Sequence, residues 1–181
     1  MKKLMMIAAM MLISIGMYAQ NQVGQITLKP MAGVNFSTMT KFGDMKMRIG
    51  VAAGAEGEYG LFKNFSVTAG LLYTMEGAKV YGYSYKLDYI NVPIMANYYI
   101  YPGFAVKAGV QPSLNVSSNI ERVDLDYNTN SFYFSLPIGV SYEYSHFVLD
   151  ARYNFGISTI FSPGDSRNAW LSLTLGYKFA L

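Results

Sequence analysis

A single histidine, no cysteine and a scatter of carboxylates bound the chemistry open to this 181-residue chain. Without cysteine there is no disulfide framework, no thiolate nucleophile and no cysteine metal site. His146 falls in a two-residue break, Ser145-His146, with no serine and acid at a spacing that suggests a catalytic triad. Glu121, Asp124 and Asp126 crowd one connection, where they offer either oxygen ligands for Ca²⁺ or a solvated, self-repelling loop tip. The glycines of residues 50–60 lack the Lys-Ser/Thr pair of a phosphate loop. No catalytic residue, cofactor or metal site is expected. What stands out instead is a set of opposite charges, Lys29, Lys107, Arg152 and Lys178 with Glu56, Glu58, Glu143 and Asp150, which can form charge-assisted hydrogen bonds if the fold brings them together.

The elements that carry these residues are strands. From Gln25 onward, stretches of about ten residues alternate apolar and polar, the period-two signature of a sheet. The first sets Ile26, Leu28, Pro30, Ala32, Val34 and Phe36 against Thr27, Lys29, Met31, Gly33 and Asn35. Seven more follow, beginning near Ile49, Phe65, Ile90, Phe104, Phe132, Phe147 and Leu171. In every case the eight charged residues fall opposite the apolar face. The apolar faces end in aromatics: Tyr59, Phe65, Tyr98, Phe104, Tyr142, Phe147, Tyr177 and Phe179 toward one rim, Phe36, Tyr73, Phe132 and Phe155 toward the other, as interfacial girdles require.

The breaks alternate in length. Residues 60–64, 101–103 and 145–146 are short; residues 38–46, 79–84, 118–129 and 161–166 are longer. Short turns on one side and long loops on the other are the habit of membrane barrels, with the turns periplasmic. An all-β, eight-stranded antiparallel up-and-down transmembrane β-barrel follows, with both termini periplasmic. Closure leaves no unpaired backbone edge in lipid. Pro30, Pro93, Pro112 and Pro137 each remove a ladder donor and are expected at bulges or strand-end kinks. A soluble lipocalin-like barrel would instead turn its apolar face inward, so the direction of Leu171, Leu173 and Leu175 separates the two.

Residues 1–19 read as a secretory signal peptide: Met1-Lys2-Lys3, an apolar core over residues 4–17, then Tyr18-Ala19 before Gln20. The apolar core is shorter than the ~20 residues of a spanning helix. Residues 20–181 would form the barrel domain. The net charge of +3 includes Lys2 and Lys3, and gives no basis for nucleic-acid binding.

Several strings, taken together, resemble the PorT-like outer-membrane β-barrel family of Bacteroidetes. They are Leu87-Asp88-Tyr89-Ile90-Asn91-Val92-Pro93-Ile94, Asn97-Tyr98-Tyr99, Leu136-Pro137-Ile138-Gly139-Val140, Ala151-Arg152-Tyr153-Asn154-Phe155-Gly156 and Leu175-Gly176-Tyr177-Lys178-Phe179. The resemblance spans essentially the whole mature chain and implies a place in the bacterial outer membrane. It also implies recognition by the barrel-assembly machinery through Tyr177 and Phe179, although Ala180-Leu181 follow where such barrels usually end on the aromatic. The secretion and gliding role of the family's named member has no motif here to carry it.

The function expected is non-enzymatic: a structural or loop-mediated binding role with a closed, charge-paired lumen. The partners would be outer-membrane lipid, the assembly machinery, and an envelope or extracellular protein or glycan met through Tyr81, Tyr83, Tyr85, Tyr127, Asn128 and Asn130. An eight-stranded barrel is narrow enough for side chains to fill it. The alternative is a transport or secretion component whose salt bridges open a gated conduit.

Overall fold

The computed structural model describes residues 23–39, 48–80, 83–120, 132–157 and 168–181. Ten strand segments form one antiparallel sheet: β1 (Ile26–Met39), β2 (Arg48–Phe62), β3 (Phe65–Val80), β4 (Tyr83–Asn91), β5 (Ile94–Tyr101), β6 (Phe104–Ile120), β7 (Phe132–Tyr144), β8 (Phe147–Gly156), β9 (Asn168–Tyr177) and β10 (Phe179–Ala180). β4 and β5 are two halves of one stave between β3 and β6, and β9 and β10 likewise make one stave. β1 pairs with β2 on one side and with β9 and β10 on the other, so eight staves close into a barrel.

The apolar faces point out. Leu171, Leu173 and Leu175 are 37, 38 and 55% exposed, while Ser172 and Thr174 between them are buried. A soluble barrel with an apolar core is thereby excluded. The aromatic rim at the turn end is built from cross-strand partners, Phe65 with Tyr98, Phe104 with Tyr142 and Phe147 with Tyr177. Such pairs on one face are the unit of sheet stabilisation.

Two expectations need correction. The break expected over residues 79–84 is mostly strand: β3 pairs with β4 as far as Val80 opposite Tyr83, leaving residues 81–82 as the connection. Tyr83 and Tyr85 therefore belong to β4, and residues 118–120 belong to β6. Apolar-polar alternation runs on through Met75 and Glu76 and lapses over Gly77-Ala78-Lys79-Val80, yet the ladder continues because backbone pairing, once in register, needs no apolar side chain.

The prolines are the second, and in part only: Pro93 lies at a strand end as expected, but no proline makes a bulge. The register does not shift at any of them; the irregularities fall at Gly60/Phe62, Asp88/Tyr89 and Tyr99/Tyr101. Pro30 lies opposite the break between β9 and β10, and Pro137 lies where the β6–β7 ladder skips Leu136 and Pro137. Pro93 separates β4 from β5 at a strand end, next to Val92, whose amide donates to the Pro112 carbonyl at 2.9 Å. Each missing donor thus leaves a local gap in hydrogen bonding without displacing the strands. The leader over residues 1–19, the acidic cluster at Glu121, Asp124 and Asp126, and Tyr81, Tyr127, Asn128 and Asn130 lie outside the described residues.

Candidate functional site

The inward face of the barrel holds all eight charged residues, in two adjoining layers. Nearer the short turns, Lys178 Nζ lies 2.6 Å from Glu143 Oε2 and 3.0 Å from Glu58 Oε2. Glu58 Oε1 also accepts from the Ser66 and Tyr99 hydroxyls, at 2.5 and 2.6 Å. Asn97 Nδ2 donates to Ser66 Oγ at 3.0 Å, so the layer is tied to β5.

The next layer is centred on Arg152. Its Nη1 and Nη2 grip Glu56, the latter at 2.8 Å, while Nε and Nη2 donate to Asp150 at 2.5 and 2.9 Å. Lys29 Nζ lies 3.0 Å from Glu56 and 3.6 Å from Asp150; Lys107 Nζ lies 2.6 Å from Asp150 and 3.9 Å from Glu56. All five side chains are at most 5% exposed. The planar guanidinium suits this place, since it can serve two carboxylates at once with fixed donors.

Inward glycines make room for these long side chains. Gly70 pairs with Glu56, and Gly139 pairs with Arg152. A methyl group at Gly139 would lie 2.3 Å from the Ala151 carbonyl oxygen and 3.1 Å from Arg152 Cγ. At Gly176 the closest atom would be the flexible Lys29 side chain, 2.9 Å away. Gly139→Ala should therefore destabilise the barrel by about 1–3 kcal/mol, the usual cost of overpacking, and Gly176→Ala by clearly less. Urea midpoints of the two refolded variants in detergent measure the difference; equal midpoints would contradict it.

Toward the long connections the lumen changes character. Glu76, fully buried, accepts from Thr74 Oγ1 at 2.8 Å and from the Tyr133 hydroxyl at 3.1 Å. Tyr133 meets Tyr89 edge-to-face at 4.9 Å between centroids and Trp170 at 6.1 Å. The three rings are at most 1% exposed. Neither Glu76 nor this aromatic cap is among the sequence-predicted site residues. Trp170 and Tyr133 were legible as inward-facing, whereas Glu76 continues the inward face of Leu72 and Thr74 past the expected end of that segment.

His146 is a turn residue. Its ring stacks on Tyr177 with centroids 5.4 Å apart, its Nδ1 lies 3.1 Å from Ser145 Oγ, and its carbonyl accepts from the Lys178 amide at 2.7 Å. Tyr177 in turn packs against Phe147 and Phe179 on the outer surface, at 5.3 and 4.7 Å.

A barrel with an apolar exterior, aromatic rim and ionic interior has a counterpart among known families. The family described as outer membrane protein beta-barrel domain matches residues 18–162. The chain belongs to that family. It is thus a bacterial outer-membrane protein, and its exposed leucines and aromatics face lipid. Solved outer-membrane barrels share the fold. Ail, the attachment invasion locus protein of Yersinia pestis, superposes with a TM-score of 0.54 at 14% identity, over 87% of this chain and 100% of that one. Neisserial surface protein A gives 0.53 at 17%, over 85 and 97%. OprG from Pseudomonas aeruginosa gives 0.53 at 12%, over 87 and 97%. At these identities the likeness is one of fold alone. No curated protein sequence matches this outer-membrane barrel significantly.

Proposed function

We propose that this outer-membrane barrel is a non-enzymatic, non-conducting scaffold that holds its long connections at the cell surface for binding. The observation that carries the reading is the filled lumen: two layers of paired charges and an aromatic cap lie in series across it. Side chains pinned by several charge-assisted bonds each do not part for a solute without leaving buried charges unpaired. With eight staves and short turns at 63–64, 102–103 and 145–146, both termini would be periplasmic and the other connections external. The resemblance to PorT-like barrels fits this placement, as does assembly through the Tyr177–Phe179 rim.

The external connections offer Tyr and Asn, not a concentrated basic surface: Lys41, Lys46, Arg122 and Arg167 are interspersed with Asp44, Glu121, Asp124, Asp126 and Asp165, and Arg48, Lys79 and Lys86 at the strand ends leave the two signs near balance. Ail has been solved with the heparin analogue sucrose octasulfate. This charge balance argues against a polysulfated ligand here and for a neutral glycan or a protein surface.

One paired experiment tests the proposal. The purified barrel in planar bilayers should give no conductance steps, where a gated conduit would. Because the chain has no cysteine, single substitutions report topology cleanly. Asp124→Cys should react with an impermeant maleimide on intact cells, and Lys63→Cys only after the outer membrane is opened. The reverse pattern would sink the orientation.

A further inference from the structure

Between the Arg152 layer and the aromatic cap lies a cavity of about 10 Å³, lined by Thr74, Asn91, Gln111, Arg152, Asn154 and Thr174 among others. Three of its lining residues carry buried oxygens without a hydrogen-bond partner: Asn91 Oδ1, Asn154 Oδ1 and Thr174 Oγ1. The amide nitrogens of the two asparagines are already engaged, Asn91 Nδ2 with Thr74 Oγ1 at 2.6 Å and Asn154 Nδ2 with the Trp170 carbonyl at 3.4 Å. Each asparagine offers its carbonyl oxygen as an acceptor to this space, while the threonine hydroxyl can donate or accept.

We propose that this cavity is a binding site for one ordered water molecule, which donates to Asn91 Oδ1 and Asn154 Oδ1 and accepts from Thr174 Oγ1. Three polar partners and room for a single molecule are what a buried water typically has. A cation would use the same oxygens, but the Arg152 guanidinium on the wall opposes positive charge, and three oxygens fall short of the six or more that hard cations such as Ca²⁺ take. A buried oxygen left without a donor loses its hydration with nothing in return, so the site has a thermodynamic reason to fill.

The water has a second consequence. Asn91 belongs to the chain Asn91–Thr74–Glu76–Tyr133, whereas Asn154 bonds beside Trp170 and Arg152 anchors the charge layers. The water joins the two walls of the lumen, β4 on one side and β8–β9 on the other, at a level where no described side-chain bond links Asn91 to Asn154 or Thr174. The inference stands whether or not the external connections bind a partner.

A crystal structure at a resolution that shows waters, with a parallel crystal soaked in thallium, tests it. The expected result is a water peak within hydrogen-bonding distance of all three oxygens and no anomalous signal there. An anomalous peak would make the site a cation site, and a cavity closed by rotated asparagines would make it no site; either overturns the proposal. In micelles, the Asn154 side-chain amide of the wild-type barrel should show a cross-peak to long-lived water, lost in Thr174→Val. Its absence in the wild type would overturn the proposal even if that variant failed to fold.

Discussion

Glu56→Gln should destabilise the barrel by about 3–5 kcal/mol, more than Arg152→Met, although both residues belong to the same cluster. The reason is charge count. Lys29, Lys107 and Arg152 face Glu56 and Asp150, so this layer carries one net positive charge. The adjoining layer sets Lys178 against Glu58 and Glu143 and carries one net negative charge, so the two balance. Neutralising Glu56 leaves three cations around Asp150 alone, in a place where none can reach water. Neutralising Arg152 leaves two cations and two anions still matched, Lys29 with Glu56 at 3.0 Å and Lys107 with Asp150 at 2.6 Å. What that variant loses is hydrogen bonds to two carboxylates that each keep a lysine partner, a smaller loss than an uncompensated buried charge. Arg152→Ala adds a cavity and should fall between the two. Urea unfolding of the refolded barrel reads the order directly, because Trp170 is the only tryptophan and is buried in the lumen. If Arg152→Met were the worse variant, charge balance would not be what holds the cluster.

The barrel itself was legible because its two faces obey different chemistry. Leu171, Leu173 and Leu175 alternate with Ser172 and Thr174, and a period of two leaves no freedom over which residues share a face. The direction of that face was less secure, since a soluble barrel alternates as well; the aromatic rims and the alternating break lengths favoured lipid, and the exposure of Leu171, Leu173 and Leu175 decides it. Lys29 and Arg152 are 123 residues apart in the chain, yet alternation placed both inside.

What the sequence left out was height along the lumen. Alternation assigns a side chain to a face but not to a level, so the split into two oppositely charged layers follows only from strand stagger, as in Lys29 opposite Glu56 and Gly139 opposite Arg152. Glu76 keeps the inward parity of Leu72 and Thr74 but lies beyond the ten or so residues of the segment that starts at Phe65, just before the pattern fades from Gly77 while the backbone ladder carries on. Inward glycines are a second signal: those of residues 50–60 point to tight inward packing, and Gly70 and Gly139 mark where the charged side chains cross. Gly70 and Gly139 sit beside Glu56 and Arg152 because a side chain there would occupy the space the charged groups cross.

Trp170→Ala separates the two closures of the lumen. Trp170 is 1% exposed and packs edge-on against Tyr133, which holds Tyr89 and reaches Glu76. Removing a fully buried indole should lower stability by about 3–5 kcal/mol, read as the temperature at which the band of the folded form is lost on a gel. Conductance should nonetheless stay silent. The charge layers lie closer to the short turns and do not depend on the indole: Arg152 is held by Glu56 and Asp150, and Lys178 by Glu58 and Glu143. A barrel closed only by its aromatic cap would begin to pass ions once the cap was cut away. One closed again below it would be weakened without being opened, and that is the outcome the two-layer arrangement requires.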